Sequence, residues 1–141
     1  MLREISETDF CYLPYWFAPL KRRHVELSFP NKFETYLAAG RPIFYHGPEY
    51  AGIVDTIRKH GVGLCVHSLD PKEIISALEK MIKDISLRES FNKAAISAFH
   101  SEFNAKVMVR NFADLIGVEP DLLHAKECID KSIPSFVSNH G

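Results

Sequence analysis

Cysteine is scarce in this 141-residue chain: Cys11, Cys65 and Cys128 lie far apart, are odd in number and form no C-x-x-C pair. Such spacing encodes neither a disulfide framework nor a zinc knuckle, and it suits a reducing cytoplasmic setting. An excess of one charge sign is missing too. Seventeen lysines and arginines against eighteen aspartates and glutamates leave a net charge of −1, so no broad field recruits nucleic acid, an anionic membrane or an acidic substrate. No apolar run approaches the roughly 20 residues that cross a bilayer, and Met1-Leu2-Arg3-Glu4 does not open a signal sequence. Repeats and low-complexity tracts are absent as well. What remains is an ordinary apolar fraction, 46%, on a chain of common domain size. The expectation is a globular cytoplasmic protein, with peripheral contact to the inner membrane, made through a partner domain, left open.

The hydrophobic pattern then supplies elements. Phe10-Cys11-Tyr12-Leu13, ended by Pro14, reads as a first strand, and Pro14 to Pro30 reads as a long loop. Phe33, Tyr36 and Leu37 predict a helix over about Asn31–Ala39, with Gly40 just beyond it. Pro42–Tyr45 gives a second strand, and His46-Gly47-Pro48 a turn that opens a helix at Pro48. Ile53, Val54 and Ile57 line that helix, which stops at Gly61 after the cations Arg58, Lys59 and His60. Val62–Val66 makes a third strand. Asp70-Pro71-Lys72-Glu73 caps the next helix, whose stripe is Ile74, Ile75, Leu78, Met81 and Ile82, and Ser86-Leu87-Arg88-Glu89 predicts another capping box. A helix from about Asn104 to Ile116 would bury Val107, Met108, Phe112, Leu115 and Ile116 and end at Gly117. Beyond Pro120, Leu122 to Ile129 suggests one short helix before a polar tail from Ser132.

Strand, helix, strand, helix, strand and then helices is the rhythm of a parallel sheet flanked by helices, one half of a doubly wound α/β fold. Three strands leave edges that another segment or a second copy of the chain would cover. In such sheets ligands sit beyond the carboxyl ends of the strands, which singles out the Pro14–Pro30 loop and the His46-Gly47-Pro48-Glu49 turn. Glu26 and Glu34 bracket Ser28-Phe29-Pro30-Asn31-Lys32 there.

The string Ser28-Phe29-Pro30-Asn31-Lys32-Phe33-Glu34-Thr35-Tyr36-Leu37-Ala38-Ala39-Gly40-Arg41-Pro42 resembles the donor-site signature of glycosyltransferases of the GT-B fold, the group 1, family 4-like kind. The resemblance extends from about Thr8 to Val118. It implies a partial Rossmann-like carboxy-terminal lobe over residues 1–118, a short helix and polar tail over 119–141, and a nucleoside-diphosphate sugar as ligand. Glu34 would take hydrogen bonds from the ribose hydroxyls, as an acceptor-only carboxylate can. Ser28, Pro30, Asn31 and Lys32 would border the diphosphate, and Glu26 would reach the sugar. Where the family commonly has Gly-Phe-Gly after the first glutamate, this chain has Leu27-Ser28-Phe29. The resemblance names no catalytic base, cofactor or metal ion in this chain, and it implies an amino-terminal acceptor lobe as partner.

Plainer readings stand beside these. Glu34 also suits the dipole of any helix start, and Lys21-Arg22-Arg23-His24 suits a solvated loop better than a phosphate, acceptor or nucleic-acid contact. His46 suits a hydrogen-bonded loop, and Tyr12, Trp16 and Phe17 suit packing. The alternative function is a non-catalytic α/β module for assembly or regulation.

Overall fold

A computed structural model describes residues 2–118. The chain divides into two compact units, Met1–His100 and Ser101–Gly141. The short helix expected near residues 122–129, the polar tail and Cys128 lie outside the described residues.

The first unit holds a three-stranded sheet of β1 (Cys11–Pro14), β2 (Ile43–His46) and β3 (Gly63–Val66), in that spatial order and parallel throughout. Around it lie α1 (Leu2–Ser6), α2 (Arg22–Leu27), α3 (Lys32–Ala38), α4 (Gly52–His60), α5 (Pro71–Lys83) and α6 (Ile85–Ala98). Parallel strands require crossovers, and α3 and α4 provide them. Both must therefore start at the carboxyl edge of the sheet and run back to its amino edge.

The strands place Cys11, Leu13, Ile43 and Tyr45 on one face and Tyr12, Phe44, Leu64 and Val66 on the other, because side chains alternate along a strand. The crossover helices bury Phe33, Leu37, Ile53, Val54 and Ile57 completely. On the other face Phe44, Val66 and Met81 form a cluster joined by Phe10, Leu64, Ile74, Ala77, Leu78 and Phe91, so α5 and the start of α6 cover β2 and β3. Tyr12, at the β1 end of that face, stays exposed.

Local chemistry sets the boundaries. Gly61 ends α4 in the left-handed region at φ 62°, where a side chain would be strained. Asp70 accepts from the Lys72 amide at 2.9 Å and caps α5, with Pro71 in the first turn. Arg88 of α6 donates to the Met81 carbonyl at 2.8 Å and also to the Ile82 carbonyl, satisfying acceptors that the end of α5 leaves open.

Several expectations are corrected. The 14–30 segment is not one loop: a 3-10 turn over Pro19–Lys21 runs into α2. Its inward signal is a lone apolar residue, Val25, too little for periodicity to register. Helix α4 begins at Gly52, not Pro48, because the Pro48 carbonyl accepts the buried Tyr45 hydroxyl at 2.8 Å and the Ala51 amide at 3.2 Å in a preceding turn. The cap of α6 is Asp84, accepting from the Leu87 amide at 2.9 Å, in place of a box at Ser86. Ile75 and Ile82 of the α5 stripe are exposed.

In the second unit, α7 (Ala105–Ile116) is capped by Asn104, which accepts from the Val107 amide at 3.1 Å, and ends at Gly117 with φ 69°. Its expected buried face is not buried. Met108, Phe112, Leu115 and Ile116 are exposed, and Ala113 is the buried position.

Candidate functional site

Backbone hydrogen bonds assemble the carboxyl edge first. The Tyr15 amide donates to the His46 carbonyl at 2.8 Å and the Gly47 amide to the Val66 carbonyl at 3.1 Å, so each ladder continues one residue past its strand. The Tyr15 and Tyr45 rings meet at 5.7 Å. Gly47 passes between them: a Cβ there would lie 2.6 Å from the Tyr15 Cβ.

Tyr15 then fixes the segment carrying the expected donor residues. Its hydroxyl donates to the Ser28 carbonyl at 3.3 Å and lies 3.4 Å from the Ser28 hydroxyl. The Ser28 amide in turn donates to the His24 carbonyl at 2.9 Å, closing α2. Pro30 accepts the Phe33 amide at 2.9 Å and sets up the first turn of α3. Asn31 precedes that helix, Lys32 opens it and Glu34 stands in its first turn; Asn31 and Lys32 are exposed and Glu34 is half-buried. Topology thus brings Ser28, Pro30, Asn31, Lys32 and Glu34 to the edge where parallel sheets bind ligands.

Glu26 is placed differently. Its carboxylate takes a 2.8 Å charge-assisted hydrogen bond from Arg22 Nε one turn earlier, and the Arg22 guanidinium lies 4.6 Å from the Tyr50 ring centroid. Its backbone carbonyl faces α4 closely enough that Gly52 has no room for a side chain. In this state the Glu26 carboxylate is engaged within α2.

Two histidines stitch the edge loops together, which spacing did not reveal. His46 Nε2 donates to the Ser68 carbonyl at 2.9 Å, because a carbonyl only accepts, and its Nδ1 then accepts from the Tyr12 hydroxyl at 3.1 Å. His67 reciprocates: Nδ1 donates to the Gly47 carbonyl at 2.9 Å, and Nε2 accepts from Arg58 at 3.1 Å. Arg58 also donates to Glu49 at 2.9 Å, and that contact holds the Glu49 carboxyl below its ordinary pKa. The readable signal was the histidine ending each apolar run, Tyr45-His46 and Val66-His67. His46 is hydrogen-bonded, at the end of β2 and not in a loop, and Phe17 lies 5.3 Å from its ring. Tyr12 and Trp16, expected to pack, are instead exposed, Tyr12 because α5 and α6 cover β2 and β3 and leave β1 open on that face.

Two surface depressions flank α5, lined in one case by Ser76, Glu79, Lys80, Lys83, Asp84 and Ile85 and in the other by residues from Leu64 to Lys80. None of the expected donor residues lines either. Among the described residues no group of three or more histidines, cysteines or acids is placed to hold a metal ion, and no helix is long and apolar enough to cross a membrane.

Cys65, on β3, is inert by environment: burial pushes its thiol up to about 11 from 9.0, against a smaller opposing pull from Arg58. Folding thus favours the protonated thiol. That contribution to stability is fully present below 9.0 and is lost as pH rises towards about 11. Alkylation by iodoacetamide, mapped by peptide mass, should reach half its maximal rate near pH 11 at Cys65 in the folded chain and near pH 9 in urea.

Comparison of the chain with family models, curated proteins and solved structures returns no match.

Proposed function

We propose that this chain is the donor-binding part of a glycosyltransferase, which moves a sugar from a nucleoside diphosphate to an acceptor. The observation that carries the proposal is the position of Glu34: half-buried, in the first turn of a crossover helix, at the carboxyl edge of an all-parallel sheet. There its carboxylate accepts from the two ribose hydroxyls. Lys32 and the amides near Asn31 face the diphosphate, whose departure they stabilise. Ser28 and Pro30 shape that loop. Glu26 reaches the sugar only after Arg22 releases it. An acceptor-binding lobe forms the opposite wall of the site.

The test is calorimetric titration of the chain with uridine, guanosine and adenosine diphosphates and their sugar conjugates. One nucleotide should bind, and Glu34→Ala should weaken it by about a hundredfold or more. Two hydrogen bonds to a charged group are worth roughly 1.5–3 kcal/mol each. Binding of none of the nucleotides defeats the donor reading. Unchanged affinity in the variant defeats the ribose role alone.

Among the described residues β3 is an edge strand, and its outer side gives a second copy of the chain a place to pair. Tyr12 and Pro14 point outward on β1, where proline has no N–H to offer, whereas Gly63 and Cys65 turn both backbone groups outward on β3.

A further inference from the structure

The segment from Trp16 to Phe29 carries large apolar side chains that the fold leaves in solvent: Trp16 is 59% exposed, Leu20 98%, Leu27 77% and Phe29 46%. They are not scattered. The 3-10 turn Pro19–Lys21 runs directly into α2, so Leu20, Arg23, His24 and Leu27 follow the i, i+3, i+4, i+7 rule and share one stripe. Val25, fully buried, lies on the opposite side. Trp16 extends the stripe sideways, its ring 5.8 Å from that of His24 and beneath the Lys21 ammonium, 5.8 Å from the centroid.

The charge of the segment has one sign where it meets this stripe. Lys21, Arg22 and Arg23 face a lone carboxylate, Glu26, which Arg22 already engages at 2.8 Å. Lys21 and Arg23 therefore stand beside the exposed leucines as local positive charge on a chain whose net charge is −1. The whole-chain balance excludes a global field, not a local one.

We propose that this stripe docks the protein on an anionic lipid bilayer. Leucines and a tryptophan interleaved with cations on a short exposed helix fit a headgroup layer. The aliphatic tips enter the acyl boundary, the indole sits at the interface, and Lys21 and Arg23 meet lipid phosphates. A protein partner would favour an apolar centre from which lysine is depleted. A nucleic-acid backbone would leave Leu20 and Leu27 with nothing to bury against. The stripe stands independently of the donor-binding reading, since it uses none of the nucleotide contacts.

The chain's single tryptophan supplies the readout. Mixing the chain with vesicles containing about one-third phosphatidylglycerol should shift Trp16 emission to the blue and sediment the protein, whereas phosphatidylcholine vesicles should do so weakly. Leu20→Asp with Leu27→Asp removes only exposed groups and should lower vesicle affinity by on the order of a hundredfold. Lys21→Glu with Arg23→Glu should lower it by more than about tenfold, and raised salt should mimic that change. Circular dichroism should show both variants folded. Equal binding to the two vesicle types, no shift with either, or variants that bind like the parent would overturn the proposal. So would tighter binding to RNA or duplex DNA than to the anionic vesicles.

Discussion

Gly63→Ala should destabilise the chain by about 3 kcal/mol or more, measured as a fall in the urea midpoint at unchanged slope. Gly63 opens β3 beside Ile43 of the central strand, and the two are register partners. An added Cβ would strike the Ile43 carbonyl group, lying 2.7 Å from its carbon and 2.9 Å from the Ile43 Cα. A flexible side chain could swing aside, but backbone cannot. Relief requires moving β3 away from β2, and that stretches the hydrogen bond from the Ile43 amide to the Val62 carbonyl, now 3.0 Å. Gly61→Ala, two residues earlier, is the control. It meets no atom within 4 Å and suffers only from its left-handed φ of 62°, so it should cost about 1–2 kcal/mol. Equal losses at the two positions would show that β2 and β3 are not packed this tightly.

Phe33→Ala should cost about 3–5 kcal/mol, while Glu34→Ala, one residue along, should change stability by no more than about 1 kcal/mol. Phe33 is fully buried and meets the Phe29 ring edge-on at 5.4 Å. Removing it leaves a cavity under the first turn of α3 and frees the loop that Tyr15 holds through Ser28. Glu34 sits in the same turn, half-buried. Chemical denaturation of the two variants separates the residue that places the helix from the residue proposed to use it. A loss at Glu34 as large as that at Phe33 would show that the carboxylate serves the fold.

The legible part of the fold was the part that repeats. Short apolar runs ended by proline or histidine gave the three strands, and the run from Asn31 to Gly40 gave α3 within a residue at each end. Gly61 and Asp70 announced their boundaries because φ > 0 and an N-cap acceptor are single-residue requirements. Helix α2 was invisible. It buries one side chain, Val25, and shows solvent a leucine stripe, so its pattern opposes the rule that apolar residues face inward. The amphipathic pattern of α7 misled for a related reason, since periodicity names an apolar face without saying what covers it.

The candidate site divides the same way. Its string of residues from Ser28 to Glu34 could be picked out in one dimension, as neighbours in sequence. The carboxylate at Glu26 could not be distinguished from them until Arg22 was seen across one turn of α2. Contacts across the sheet were out of reach altogether: Tyr12 with His46, His46 with Ser68, His67 with Gly47. Each joins residues at least 20 positions apart, and such meetings depend on strand register.

The amino-acid order by itself determined the α/β rhythm, the strands, most helix ends and the donor-like string at α3, since each follows from local dihedral preference, capping chemistry or hydrophobic period. Only the tertiary structure decided which loops the two histidines join and that the Trp16–Phe29 stripe faces solvent. Those outcomes arise from packing between distant segments, where burial is shared and no single residue encodes it.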